Sequence, residues 1–481
     1  MTSSPADRVR TFQGLPTRPL RPGGLARVAT VVEAPAEERT EVRYDTAGRR
    51  LAEHGIDLRR LRVAVEAVSG GGRDGEGGAT GEWRLTLPTG TELSFPAADT
   101  LPQEADDRVR AYAGNRPLGP VRDVRVRRER TVFLDRRGRP LAELDRSEVV
   151  ARPVARARGL VEGWACTEIR LLEGGGRRLL DALGRRLRAQ GLRPGEADGA
   201  GDGAVAGGAS GPGRAGPAAD TSLGAAVTGY LRLHCAELLA LDGAVRRDEE
   251  DSVHRMRVCA RRLRSCLTSC RRYLRGPAGD RLAEELRWLG QALGTARDAE
   301  STGERLAAQA VQAARAAQGA QAAAMLDDLA GRITDRFRRR YRDAYRQVRE
   351  VLDSERYFDL LAALEELAAR PRLRARAKRG SARGTASLER LLRREQVRTD
   401  RRMRAAPALP AGPHRDEALH AARKAAKRTR YTAELAGPGG AKLARRMRAL
   451  QEGLGAYQDA VVAEELLPYL AAQARAEGED T

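Results

Sequence analysis

Lysine is nearly absent from this chain. Only Lys378, Lys424, Lys427 and Lys442 stand among 87 basic side chains, so the net charge of +21 and the isoelectric point near 10.7 are made by arginine. An excess of this kind also arises from GC-rich coding, so the total decides little and placement must decide. Aromatic residues make up 4% of the chain, which leaves little for the stacking platforms of single-strand nucleic-acid binders. No run of 18 apolar residues occurs, and none follows the opening MTSSPADRVR; neither a membrane span nor a secretory signal is expected. Five cysteines (Cys166, Cys235, Cys259, Cys266, Cys270) are an odd number without a disulfide-framework spacing, which suits a reducing cytoplasm. Cys259, Cys266 and Cys270 share a helix face, but no fourth zinc ligand accompanies them, and they read as small buried hydrophobes. Phosphate-loop and His-Glu-x-x-His motifs are missing. The spacings Gly70-x-Gly72-x-x-Gly75 and Gly211-x-Gly213-x-x-Gly216 imitate a dinucleotide fingerprint, but neither follows a strand and opens a helix.

At 481 residues the chain is too long for one ordinary core. Residues 1–30 hold Pro5, Pro16, Pro19 and Pro22 without a sustained period and read as a disordered tail. From 31 to 194 strand and turn signals dominate, with a hairpin turn at Asp135 to Gly138 and a closing helix that stops at Gly191 and Pro194. This predicts an α+β domain of antiparallel strands. Residues 195–220 are a Gly/Ala-rich linker. From 221 to 476 the periodicity is helical, with helices expected at 222–245, 252–274, 280–300, 304–352, 356–369, 386–404, 415–436, 440–456 and 458–475, the long fourth one open to a break. The part of the chain beyond residue 200 carries +14 of the +21.

One helix organises this second part. In SVHRMRVCARRLRSCLTSCRRY (252–273) a helical period places His254, Arg257, Arg261 and Arg264 at about 0°, 300°, 340° and 280°, a cationic stripe beside an apolar face. The pattern recurs as His420, Arg423, Lys427 and Arg430, at a constant offset of 166. Downstream, RWLGQALGTARDAE repeats as RALQEGLGAYQDAV at an offset of 161, pairing Gly294 with Gly455 and Asp298 with Asp459. Two copies within 222–352 and 386–475 predict two pseudo-symmetric helical bundles. One basic helix face is ordinarily a solvated surface; the repetition argues for a site. Guanidinium groups at i+3, i+7 and i+10 suit a row of phosphates, which arginine holds bidentately, and the histidine suits a donor better than a base. Arg262, Lys424 and Arg428 are candidates for a second row or, equally, for a solvated surface. Arg338, Arg342 and Arg349 align on another helix, as polyanion contact or as exposed face. Asp298 and Asp459 read as caps or salt bridges near helix ends, and His54, His234 and His414 as unpaired.

HRMRVCARRLRS and HAARKAAKRTRY, with the LGTARD and LGAYQD segments, resemble the two repeats of a CHAD domain, the conserved histidine α-helical domain. The resemblance implies binding of inorganic polyphosphate through the basic face and a place at polyphosphate granules. Its contacts would be His254, Arg257, Arg261, Arg264, His420, Arg423, Lys427 and Arg430, joined by Arg262, Lys424 and Arg428. In the second copy Gln458 stands where the first has Arg297.

The segment 31–194 resembles a CYTH domain, the triphosphate tunnel fold, on VRYDTAGRRLAEHGIDLRRLR, EWRLTLPTG, RTVFLDRRGRPLAELD and ACTEIRLLEGG. That resemblance implies a tunnel or barrel of antiparallel strands hydrolysing triphosphates with Mg or Mn. The departures point to a degraded enzyme. The opening Glu-x-Glu-x-Lys triplet is missing, Thr86 stands at a tunnel lysine, and Arg170 stands at a metal-binding acid. Glu143 and Glu168 remain as metal candidates, and Arg59, Arg60, Arg62, Arg127 and Arg130 as a phosphate clamp or, equally, as plain surface and tunnel-wall packing. Metal-dependent tripolyphosphatase activity and nonspecific nucleic-acid binding are the alternatives to polyphosphate binding. Oligomeric state is not legible.

Overall fold

Period-two alternation builds the first of two compact units, Met1–Arg214 and Ala215–Thr481. The computed structural model describes residues 8–65, 80–154, 161–195, 222–316, 320–377, 382–410, 412–455 and 457. Among these, ten strands form one antiparallel sheet: β1 (Val9–Gln13), β2 (Thr30–Glu33), β3 (Glu37–Asp45), β4 (Asp57–Val65), β5 (Thr80–Thr86), β6 (Glu92–Pro96), β7 (Gly119–Leu134), β8 (Pro140–Pro153), β9 (Glu162–Leu171) and β10 (Arg193–Pro194). Their order is β10-β1-β9-β8-β7-β3-β4-β5-β6, with β2 on β7. Helices α1 (Arg50–Glu53), α2 (Gln103–Ala113) and α3 (Arg177–Ala189) complete the unit. One face of the sheet is apolar: Phe12, Phe133, Leu144 and Ile169 pack with Leu179, Leu183 and Leu187 of α3. The β7–β8 hairpin turns where expected. The Asp135 carboxylate accepts the N–H groups of Arg137 (2.7 Å) and Arg139 (2.9 Å), and Gly138 takes a positive φ of 74°.

The expected tail over 1–30 is corrected in part. Val9–Gln13 forms a strand between β9 and β10. Phe12, 1% exposed, anchors it in the apolar core. A single buried anchor in five residues gives too weak a period to stand out among four prolines.

The second unit is helical: α4 (Leu223–Arg246), α5 (Ser252–Cys270), α6 (Ala278–Ala316), α7 (Ala320–Leu352), α8 (Glu355–Ala369), α9 (Ala382–Ala405), α10 (Pro413–Glu434) and α11 (441–455). Serine side chains start α4 and α8: Ser222 accepts from the N–H of Ala225 and Ser354 from that of Tyr357, each at 3.3 Å. Most predicted helices stand within a few residues of their expected ends. Two differences stand out: the helix expected at 304–352, open to a break, is divided between α6, ending at Ala316, and α7, beginning at Ala320, and α6 runs unbroken through the break expected between 300 and 304. Gly303 serves packing there, because a Cβ on it would lie 2.5 Å from Cβ of Phe337 on α7. The linker over 195–220 lies almost wholly outside the described residues, and the helix expected at 458–475 lies entirely outside them.

A buried ion cluster ties α4 to the end of α7. Arg246 lies between Asp242 (2.7 Å) and Asp353 (2.6 Å) and donates to the Leu352 carbonyl at 2.6 Å. Burial pushes the Asp242 carboxyl up against the pull of Arg246. Among the described residues, no helix is long and apolar enough to cross a membrane.

Candidate functional site

The apolar sides of α5 and α10 go inward, with Met256, Ala260, Leu263, Ala422 and Ala426 buried, which leaves the cationic stripes toward their margins. His254, Arg257 and Arg261 are half-buried and Arg264 is exposed; His420, Arg423, Lys427 and Arg430 are half-buried and Lys424 is exposed. The two stripes meet. Arg261 Nε donates to Tyr431 Oη at 3.0 Å, and the guanidinium groups of Arg261 and Arg430 lie 5.7 and 4.6 Å from the centroid of the Tyr431 ring. Lys427 records the convergence electrostatically. Burial, then Arg423 on its own helix and Arg261 and Arg257 on the other, pull its ammonium down to about 8. His254 is held below the ordinary histidine value by burial first, then by Arg297, Arg261 and Arg257, with Asp251 opposing. In the ligand-free chain, neutral histidine and a weakened lysine ammonium sit among guanidinium groups that repel one another.

The repeated Leu-Gly segments acquire a physical role. Gly294 on α6 faces the Arg257 guanidinium, with Nη2 3.5 Å from the place of a Cβ, and Gly455 on α11 faces Arg423 at 3.0 Å. Each glycine seats the first arginine of the neighbouring stripe. Asp298 lies inside α6, away from the helix end where it was expected, and pairs with Arg257 at 2.8 Å. Arg257, Arg261, Arg264, Arg287, Gly294 and Asp298 line a cavity of about 420 Å³ between α5 and α6. Asp459 and Gln458 lie outside the described residues.

Arg262 and Arg428 do not form a second row, which corrects their sequence reading. Arg262 turns to Glu434 (3.3 Å) at the end of α10, and Tyr230 Oη donates to the same carboxylate at 3.2 Å. Arg428 turns to the end of α5, donating to Ser269 Oγ (3.1 Å) and the Thr268 carbonyl (3.5 Å), and pairs with buried Glu395 at 2.9 Å. The contacts are reciprocal: residues 262 and 434 in one sense, 428 and 268 in the other, with the offset of 166 relating both pairs. A pseudo-two-fold axis between α5 and α10 requires this reciprocity. On α7, Arg349 likewise turns inward to the Arg246 carbonyl, whereas Arg338 stays at the surface with Asp335 at 3.2 Å. Neither His54 nor His234 is unpaired: His54 packs edge-on against Tyr112, and His234 Nδ1 lies 2.6 Å from Glu237. Cys259, Cys266 and Cys270, read as small buried hydrophobes, are all buried. Cys259 lies near His234 and Glu237, and its thiol donates to the His234 carbonyl at 3.2 Å.

In the sheet unit the expected clamp does not assemble. Strand alternation puts Arg59 and Arg130 on the charged face and Arg60, Arg62 and Arg127 on the opposite one. Arg59 is 4% exposed and surrounded by Glu92 (3.2 Å), Glu41 (3.8 Å) and Asp57 (3.8 Å). Arg60 pairs with Asp99 at 2.8 Å, Arg62 with the same carboxylate at 3.9 Å, and Arg127 with Glu129 at 3.4 Å. Glu143 and Glu168 do share the charged face, with Asp145, which the sequence reading missed, between them in register. All three acids are held by arginine: Glu143 by Arg130 (2.5 Å), Asp145 by Arg128 (2.5 Å) and Glu168 by Arg170 (2.8 Å). β1 adds no carboxylate, since Thr11 is the residue in register with Glu168.

A family model describing the CHAD domain matches residues 229–468. Two uncharacterized proteins of Mycobacterium tuberculosis, from strains CDC 1551 and H37Rv, are each 33% identical over 489 residues, covering 95% of this chain and 87% of theirs. This chain belongs to the CHAD family. Its CHAD match takes in both stripes and both seating glycines. Among solved structures, PptA from Streptomyces chartreusis is 22% identical with a TM-score of 0.40, over 51% of this chain and 86% of that one. The CHAD domain from the plant Ricinus communis is 25% identical with a TM-score of 0.37, over 53% and 81%.

Proposed function

We propose that the helical unit binds inorganic polyphosphate along the paired stripes of α5 and α10. The observation that carries this reading is the cluster around Lys427, where guanidinium groups from both repeats converge on a desolvated ammonium. Such a cluster is electrostatically costly until a polyanion enters, and a chain of phosphates supplies charge at the spacing of a cationic row. His254, Arg257, Arg261, Arg264, His420, Arg423, Lys427 and Arg430 are its contacts, with Lys424 at the exposed margin. A cytoplasmic place at polyphosphate granules accords with this ligand.

The sheet unit, read as a CYTH-like domain, contributes little to it. Oxygen donors for Mg or Mn are present as Glu143, Asp145 and Glu168, but a guanidinium occupies each one. The donor set therefore does not fit a divalent ion, and no hydrolytic step is derived for it.

Competition at fixed salt tests the proposal. Long-chain polyphosphate is expected to displace a bound fluorescent polyphosphate at concentrations well below those needed of single-stranded DNA or RNA, counted per phosphate. Equal competition by nucleic acid overturns the polyphosphate reading in favour of nonspecific polyanion binding, because salt dependence alone is shared by both.

A further inference from the structure

The pseudo-two-fold axis relates the ends of α5 and α10, which differ in one decisive residue, and a pocket lies at the α5 end. At the end of α10, Glu434 closes over Arg262. The equivalent position at the end of α5, 166 residues earlier, is Thr268, exposed and without charge. There the pocket stays open, with a volume of about 310 Å³, lined by Thr268, Ser269, Arg394, Glu395, Arg398 and Arg428. Arg271 and Arg272 complete its rim.

We infer that this pocket is a separate binding site for a compact polyvalent oxyanion of the pyrophosphate class. Its charge argues for the class. Leaving Arg272 aside, four guanidinium groups (Arg271, Arg394, Arg398 and Arg428) face two carboxylates: Glu395 at the base, which takes Arg428 and Arg394 (2.9 and 3.2 Å), and Asp280, which takes Arg271 (2.9 Å). The surplus of two is matched by an anion with at least two charges, and a single carboxylate would leave half of it uncompensated. Ion pairs at the base leave the exposed Arg398 directed at no acid among the described residues, while Arg394 is fixed by donating to the Ser269 carbonyl at 2.9 Å. Arg428 feels the crowding: burial draws it below the ordinary arginine value, Glu395 opposes, and Arg398 and Arg394 add to the pull. Volume sets the other limit, because a cavity of this size takes one or two phosphoryl groups and not a long chain.

The site does not depend on polyphosphate binding along the stripes, and one titration separates the two. In the full chain carrying Arg257→Gln, Arg264→Gln and Arg423→Gln, which weaken the stripes, calorimetry with pyrophosphate is expected to show one remaining equivalent. Adding Thr268→Glu, which installs a carboxylate equivalent to that of Glu434, or Arg398→Gln, should weaken that equivalent at least about tenfold. Both positions are exposed, and far-UV circular dichroism checks that the fold is kept. Long-chain polyphosphate binding by otherwise unaltered Thr268→Glu protein should stay within about twofold of the parent. Absence of pyrophosphate binding in the stripe-weakened chain, or binding indifferent to both pocket substitutions, overturns the inference. Failure of long-chain polyphosphate to bind the parent, with the pyrophosphate equivalent intact, overturns the stripe reading alone.

Discussion

Arginine crowds two places in this chain and does opposite things in them. On the charged face of the sheet each cation meets an acid: Arg130 with Glu143, Arg128 with Asp145, Arg170 with Glu168, and Arg59 among three carboxylates. Between α5 and α10 acids reach the stripes at their margins, Asp298 at Arg257 (2.8 Å) and Glu434 at Arg430 (3.6 Å), while Lys427 is crowded by guanidinium groups of both repeats and yields part of its proton affinity. Net charge does not distinguish the regions. What does is whether a guanidinium already has its counter-ion on folding, since a compensated arginine has little left to offer a ligand and an uncompensated one stores repulsion that a polyanion releases.

The largest expected effect breaks a compensated arginine at its most buried. Arg246→Ala leaves Asp242 without its partner and should cost about 3–5 kcal/mol of stability, read as a lower urea midpoint with an unchanged slope. An undiminished midpoint would show that compensation is not what holds α4 to α7. Next comes the uncompensated kind. Arg261→Ala should weaken long-chain polyphosphate binding by about tenfold or more, at about 1.5–3 kcal/mol per charge-assisted contact, with little change in the urea midpoint.

Acidity sharpens the comparison further. Free Lys427 loses its proton near pH 8, whereas a bound polyanion raises its affinity for that proton, so binding takes up protons. Polyphosphate affinity should therefore fall a few-fold as pH rises through 8, and Lys427→Arg should flatten the profile across that range. For the ligand-free fold the sign is opposite. The folded lysine has the lower pKa, so its contribution becomes less unfavourable from about pH 8 up to the ordinary value of 10.5. A pH profile identical in Lys427→Arg would remove this residue from the site. Smallest of all is Arg128→Ala in the sheet, which should leave polyphosphate affinity within about twofold of the parent by the same binding assay. A tenfold loss there would erase the distinction between the two regions.

Much of this arrangement is legible in the sequence because a helix converts spacing into direction. The offset of 166 locates both stripes, and the periods place most helices. What spacing does not reveal is what lies in that direction. Arg262 and Arg428 point off the stripe as their angles require, but their destinations, Glu434 and Ser269, belong to the other repeat. The clamp in the sheet failed on a rule that was available: Arg59 and Arg60, or Arg127 and Arg130, are separated by odd numbers and cannot share one face of a regular strand. Gly303 is a packing surface for Phe337, which no period in the sequence announces. Asp145 was passed over because its register with Glu168 across β8 and β9 exists only once the strands pair.

Tyr431 gives the stripes a property that charge alone does not. Its ring is 1% exposed and carries the guanidinium groups of Arg261, Arg262 and Arg430 around it, from both repeats. A long side chain held against a buried ring has given up rotamer freedom at the moment of folding. A polyanion arriving later meets donors already at rest, so less of its binding free energy is lost to ordering the protein. The phenol thus stiffens the site: remove it, and the same cations remain as loose tethers.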